Sequence, residues 1–191
     1  MIPIALDPRF ARLAVCGNGS LALRRLAALR AAGAMDAVLF ANAPIPDLQA
    51  QAGDHWRPRL PTEADLAGLH ALWIVDLDPA LAEPLAQAAR VRALLVNIED
   101  VPAFCDFHSV AEIRRGDLLL TISTGGAAPG LASLIRRRLE AMFDQSWAER
   151  LTELRALRTT WRREGVTMSE AMQRITRLVT ERGWLDDQNI K

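Results

Sequence analysis

Near the start of the chain, three residues have the types and spacing that hold a phosphate. In Cys16-Gly17-Asn18-Gly19-Ser20-Leu21-Ala22 the pattern Gly17-x-Gly19-x-x-Ala22 is the dinucleotide fingerprint with alanine in third place. Gly17 permits a tight turn, Gly19 lets the backbone approach a pyrophosphate, and Ala22 keeps the following helix close to the sheet. A helix opening at Ser20 adds unpaired N–H groups and a favourable dipole. A turn that only packs would look similar, but an apolar strand before and a helix after favour nucleotide binding. Gly17, Asn18, Gly19, Ser20 and Leu21 are therefore expected to bind a cofactor. An acid normally ends the second strand to hold the ribose hydroxyls. Here Asn42 follows Ala41 at that place, and Asp36 precedes the strand, so the choice between NAD and NADP stays open.

A second group surrounds Asp100, just past the C-terminal end of a predicted parallel strand, where open α/β sheets place their sites. A carboxylate there suits general-base chemistry. Taken alone, an aspartate before a proline-containing loop reads more readily as a turn residue. Asn97 orients the loop, contacts the cofactor or, equally well, makes only a strand-end hydrogen bond. Cys105, Asp106 and His108 lie close in sequence, but their spacing is not a zinc pattern, and no metal site is assigned to them.

The elements that position these groups follow from apolar periodicity. Short buried-type strands are expected at 13–16, 37–41, 55–57, 72–75 and 93–98. Helices are expected at 20–32, after Thr62 and from Asp78-Pro79, where aspartate caps and proline takes the first position. This βαβ rhythm predicts an α/β fold with a Rossmann-type parallel sheet and helices on both faces. A strand at 118–124, the Gly125-Gly126 turn and a basic helix from Pro129 to about Phe143 come next. From Ser146 onward everything reads as helix, with Leu151, Leu154 and Trp161, then Met168, Met172 and Ile175, at near-helical spacing. The expected divisions are a Rossmann dinucleotide-binding domain over 1–110, a strand-helix dimerisation segment over 111–145, and a helical C-terminal domain over 146–191.

The chain has 191 residues, half of them apolar, enough for a real core. Its 23 basic and 23 acidic residues balance, which removes the electrostatic argument for a nucleic-acid partner, although most arginines lie after residue 111. Two cysteines are too few for a disulfide framework and fit a reducing cytoplasm. No signal-peptide pattern and no apolar run of about 18 residues is present, so no membrane span is expected.

The segment Leu95-Val96-Asn97-Ile98-Glu99-Asp100-Val101-Pro102-Ala103-Phe104-Cys105-Asp106-Phe107 resembles the precorrin-2 dehydrogenase / sirohydrochlorin ferrochelatase family, which typically reads Val-Asn-Val-x-Asp-x-Pro-x-x-Cys-x-Phe there. Three other segments agree in order and spacing: the glycine loop with Ala22-Leu23-Arg24-Arg25, the Asp78-Pro79 helix start, and Ile122-Ser123-Thr124-Gly125-Gly126 followed by Pro129. The match runs from about Ile4 to Glu140.

The resemblance implies NAD-dependent oxidation of the tetrapyrrole precorrin-2 to sirohydrochlorin in siroheme biosynthesis. In some members ferrochelatase activity follows, with ferrous iron as a second substrate. It implies a homodimer paired through the piece after the Rossmann unit, and it implies that Asp100 is the principal catalytic residue. Ala41, Asn42, Val75, Asp76 and Asn97 would join the glycine loop around the cofactor. Gly125, Gly126 and Arg114 would face the polycarboxylate substrate, arginine through charge-assisted pairs. The methyltransferase domain that often follows in fused members is not expected.

Three stretches depart from the family pattern. Ala127 and Ala128 replace lysine and serine, His108-Ser109-Val110 replaces an apolar pair and proline, and Val75-Asp76-Leu77-Asp78 replaces Ala-Thr-Asp-Asp. Ala127, Ala128 and the missing ribose acid favour a second reading, a non-catalytic member that binds nucleotide or tetrapyrrole as a sensor or carrier. The intact Asp100 loop favours the enzyme. An unrelated Rossmann oxidoreductase is disfavoured, because a chain without tyrosine has no Tyr-x-x-x-Lys pair.

Overall fold

The computed structural model describes residues 2–186. The chain divides into two compact units, Met1–Ser109 and Val110–Lys191. In the first, strands β1 (Leu13–Cys16), β2 (Val38–Phe40), β3 (Trp56–Arg57), β4 (Ala71–Ile74) and β5 (Leu95–Ile98) form a sheet in the order β3-β2-β1-β4-β5. Every pairing is parallel. Helices α1 (Ser20–Ala31), α2 (Pro46–Ala52), α3 (Glu63–Leu66) and α4 (Pro79–Arg90) cover its faces.

The strand sequences are apolar throughout because both faces are covered. Along β1, Leu13 and Val15 enter the core beneath α1 and α2, built from Ala22, Leu26, Leu29, Leu48 and Ala52. Ala14 and Cys16 enter the opposite core with Leu66 of α3 and Ala82, Ala86 and Ala89 of α4. Leu26 and Leu39 are fully buried, and each such side chain contributes about 1.5–3 kcal/mol. Strand order reverses between β1 and β4, and the crevice outside their C-terminal ends is where such sheets bind ligands.

The expected strands and helices of this unit are present, with displaced edges. Ala93 adopts a positive φ of 57° and Leu94 N–H bonds the Ala89 carbonyl, so the close of α4 delays β5 until Leu95. Helix α2 was not expected from sequence. It follows directly on the Asn42-Ala43-Pro44 turn, with Pro46 in its first turn, and exists to bury Leu48 and Ala52. The α3 start holds a reciprocal capping box between Thr62 and Asp65.

In the second unit, β6 (Ala111–Arg115) and β7 (Leu118–Ile122) form an antiparallel hairpin closed at Gly116, whose φ is 58°. Helix α5 (Pro129–Met142) places Ala132 against Ile113 and Ile122. Helix α6 (Ser146–Arg163) lies close to the hairpin: a Cβ on Gly116 would stand 3.2 Å from that of Ala148, and Arg115 Nε donates to the Phe143 carbonyl at 2.7 Å. The strand-helix and helical stretches thus share one unit. Helix α7 (Met168–Glu181) opens on a capping box between Thr167 and Glu170. It buries Ala171 and leaves Met168 and Met172 exposed, so their helical spacing marks an outward face. No helix among the described residues is long and apolar enough to cross a membrane.

Candidate active site

The glycine loop joins the end of β1 to the start of α1 at the point of strand reversal. Neither Gly17 nor Gly19 has a positive φ; Gly17 is required by close approach of backbone instead, while a Cβ on Gly19 would meet the Asp76 side chain. A Cβ on Gly17 would lie 2.0 Å from the Val75 carbonyl oxygen, backbone that the sheet holds in place through the 2.9 Å bond from Val75 N–H to the Cys16 carbonyl. Gly19 is the N-cap of α1 in extended conformation and offers no side chain to the helix. The N–H groups of Gly19, Ser20 and Leu21 accordingly have no bonded partner among the described residues, which is the donor set a phosphate needs.

Two neighbouring turns are tied to this loop. Asn18 donates from Nδ2 to Asn42 Oδ1 and accepts from Ala43 N–H, both at 3.0 Å, so Asn42 stands beside the glycine loop at the end of β2. Ala41 is fully buried and its carbonyl accepts the Trp56 indole N–H at 2.9 Å. On the other side, Asp76 is exposed, has a φ of 52° and accepts the Ala22 N–H at 2.9 Å on Oδ2. That cap comes from a different strand, and only the structure shows it.

Asp100 occupies the turn after β5, exposed and left-handed at φ 62°. Its carboxylate has no hydrogen bond among the described residues. The turn is anchored on both sides: Glu99 N–H bonds the Ile74 carbonyl, and Glu99 Oε2 accepts from Arg25 of α1 at 3.0 Å. Arg25 thus links the helix of the glycine loop to the turn bearing Asp100, a pairing that sequence spacing could not reveal. Asp100 is two strands from Gly17, roughly 10 Å at the usual inter-strand spacing.

Beneath that turn lies a second set of bonds. Asn97 is buried, and its Nδ2 donates to the Phe107 carbonyl at 2.9 Å and approaches Cys105 Sγ at 3.4 Å. Cys105 in turn donates to the Ile98 carbonyl at 3.1 Å. Asp106 accepts from Val96 N–H at 3.0 Å and pairs with Arg90 at 2.9 Å. These residues fold the loop back on β5 and hold it there. Ser109 accepts the Trp73 indole N–H at 3.0 Å, and Phe107 packs edge-on against Trp73, so one of the departures from the family pattern carries a bond of its own. Burial pushes the Cys16 thiol up to about 12 and raises that of Cys105 as well.

In the second unit, Gly125 and Gly126 form the turn between β7 and α5 with φ values of 65° and 84°. Thr124 Oγ1 receives the Ala128 N–H at 3.2 Å. Arg114 lies on β6, half-buried and paired with Glu112 at 2.9 Å. Among the described residues, no three His, Cys, Asp or Glu side chains converge as a metal site would require.

A parallel sheet in this order, with a Gly-x-Gly loop at its switch point, defines a Rossmann-type dinucleotide-binding unit. Comparison with known proteins agrees. The chain belongs to the family described as "Putative NAD(P)-binding", whose model matches residues 4–111. A second model, described as sirohaem biosynthesis protein central, matches residues 115–142.

Among curated relatives, the chain is 30% identical to the siroheme synthase of Nitrosococcus oceani, over 91% of this chain and 40% of that protein. It is 37% identical to the siroheme synthase of Thiobacillus denitrificans, over 76% of this chain and 31% of that one. The chain thus spans well under half the length of these relatives. Among solved structures, SirC, a precorrin-2 dehydrogenase, superposes with a TM-score of 0.78 at 23% identity, covering 98% of this chain and 93% of that one. The resemblance drawn from the Asp100 segment is borne out, as is the fold.

Proposed function

We propose that the chain is an NAD-dependent precorrin-2 dehydrogenase, oxidising precorrin-2 to sirohydrochlorin with release of NADH and a proton. The observation that carries this reading is an exposed Asp100 carboxylate, unpaired among the described residues, at a strand end two strands from the glycine loop. Bound NAD supplies the hydride acceptor. Gly19, Ser20 and Leu21 hold its phosphates through backbone N–H groups, while Gly17 lets the loop lie close to Val75. Asn18, bonded to Asn42, would hold that side chain for the ribose, and Val75 and Asp76 would lie at the phosphate end of the cradle. Asp100 takes the proton that leaves as hydride departs, so that no charge is stranded on the macrocycle. Asn97 holds the loop that carries Asp100 in register. Arg114, Gly125 and Gly126 serve the carboxylate-rich substrate, and ferrous iron is a second substrate if chelation is retained.

The test is an anaerobic assay with enzymatically made precorrin-2, following sirohydrochlorin and NADH by absorbance. Equal amounts of both products support the reading; a folded protein that binds tetrapyrrole without turnover replaces it with the sensor or carrier. That second reading has a specific observation in its favour, since Ala127 and Ala128 follow the Gly125-Gly126 pair where the family pattern has lysine and serine. Running the assay with NADP in parallel decides the cofactor, and adding ferrous iron to the product tests chelation.

The working form on this reading is a cytoplasmic homodimer paired through the second unit. Helix α5 supports it: Leu131, Leu134 and Ile135 are 50%, 57% and 37% exposed on one face, an apolar patch of the kind that marks an interface. Leu134→Glu is expected to convert the dimer to a monomer in size-exclusion chromatography with light scattering, with the α/β unit still folded by circular dichroism. An unchanged mass would place the interface elsewhere.

A further inference from the structure

The N-terminus of α1 already holds an anion, and that anion belongs to the chain. Asp76 Oδ2 accepts the Ala22 N–H at 2.9 Å. An ideal Cβ on Gly19 would meet the same carboxylate, with Oδ2 at 2.8 Å and Cγ at 2.9 Å. The carboxylate therefore lies over the second glycine of the fingerprint, in the space that the missing side chain opens for a pyrophosphate. The helix has no acidic residue in its first turn and no side-chain cap of its own, so Asp76 is the anion answering its dipole. Holding the carboxylate there requires a left-handed backbone at a non-glycine residue, φ 52°, a conformation with a cost that the bond to Ala22 offsets.

We propose that Asp76 is a tethered competitor for the phosphate site and sets the nucleotide affinity of this protein. The inference rests on the dinucleotide-binding reading above. A pyrophosphate and an Asp76 carboxylate both seek the α1 N-terminal N–H groups, and like charges at that distance repel. NAD binds only as the carboxylate swings away, which an exposed residue on a turn can do. Affinity is thereby reduced by the fraction of time that the cradle is closed.

Two variants separate charge from occupancy. Asp76→Asn keeps the size, tolerates positive φ and can still accept from Ala22, but has no charge. Asp76→Gly suits the backbone and empties the cradle. Both are measured by calorimetric titration with NAD and, separately, with inorganic pyrophosphate, beside thermal unfolding without ligand.

The expected result is a tightening for both ligands of roughly tenfold to a hundredfold, greatest for Asp76→Gly, the scale of a like charge removed from a partly screened site. The unliganded melting temperature is expected to fall in Asp76→Gly, because α1 loses its cap, and to stay closer to wild type in Asp76→Asn, which can keep the bond to Ala22. A residue with a merely structural role would weaken binding and stability together. If wild type binds NAD and neither variant binds it more tightly, the inference is overturned and the dinucleotide reading stands. If neither wild type nor variants bind NAD, the dinucleotide reading itself fails and takes the inference with it.

Discussion

With Asp100 replaced by asparagine, kcat for precorrin-2 oxidation is expected to fall by roughly 10²- to 10⁴-fold, the range for a lost general base. NAD affinity should stay within a factor of about two, because no contact to the glycine loop is removed. Asparagine is the informative substitution, since it tolerates the φ of 62° that Asp100 adopts. Alanine at the same place adds the cost of a left-handed Cβ, about 1–2 kcal/mol, and would confound chemistry with stability. Single-turnover measurement of NADH, beside calorimetric NAD binding, gives both quantities. Loss of binding together with turnover would make Asp100 a turn residue that holds the end of β5, and the base would have to be sought elsewhere.

Gly17→Ala is expected to be the most damaging single methyl in the first unit. Its Cβ would sit 2.0 Å from the Val75 carbonyl oxygen, and neither side can give way. Gly17 N–H bonds the Phe40 carbonyl and Val75 N–H bonds the Cys16 carbonyl, so both backbones are locked into the sheet. The cost should reach about 3 kcal/mol or more, at the upper end for overpacking, and β1 would separate from β4 at the crevice. Urea denaturation followed by Trp fluorescence measures it. Gly130→Ala is the control: a Cβ there meets nothing within 4 Å, and the effect should stay within about 1 kcal/mol. Equal losses for the two variants would mean that close approach is not why glycine stands at 17.

Much of this architecture was legible in the sequence, for a physical reason. The central strands are buried on both faces, so Leu13-Ala14-Val15-Cys16 and Ala71-Leu72-Trp73-Ile74 are continuous apolar runs bounded by turn residues. The Asp78-Pro79 start was legible because the cap is local, and Asp78 does accept from Ala80 N–H at 2.8 Å.

Elements without an apolar pattern or cap of their own were not legible. Strand β6, Ala-Glu-Ile-Arg-Arg, fully buries only Ile113 and is a strand because β7 pairs with it. Helix α2 is seven residues without a side-chain cap, and the Asn42-Ala43-Pro44 stretch just before it reads as a turn. In the site, the fingerprint spacing located the loop but suggested a tight turn for Gly17, where the structure has a close approach. The Arg25–Glu99 pair spans 74 positions and the Asp76–Ala22 cap spans 54. Neither separation carries a local signal.

The placement of the two thiols has a practical consequence. Cys16 is fully buried at the last position of β1, immediately before Gly17, and both cysteines lie in the first unit. Once the more accessible Cys105 has been blocked, alkylation of Cys16 requires the sheet to open, so its rate is a clock for unfolding of the nucleotide-binding unit alone. The helical unit is silent in that experiment. A ligand that binds only the closed sheet slows the clock by its occupancy, about 100-fold at one hundred times its dissociation constant. Mass spectrometry of a single thiol would therefore rank NAD, NADP and pyrophosphate as ligands with no tetrapyrrole in hand.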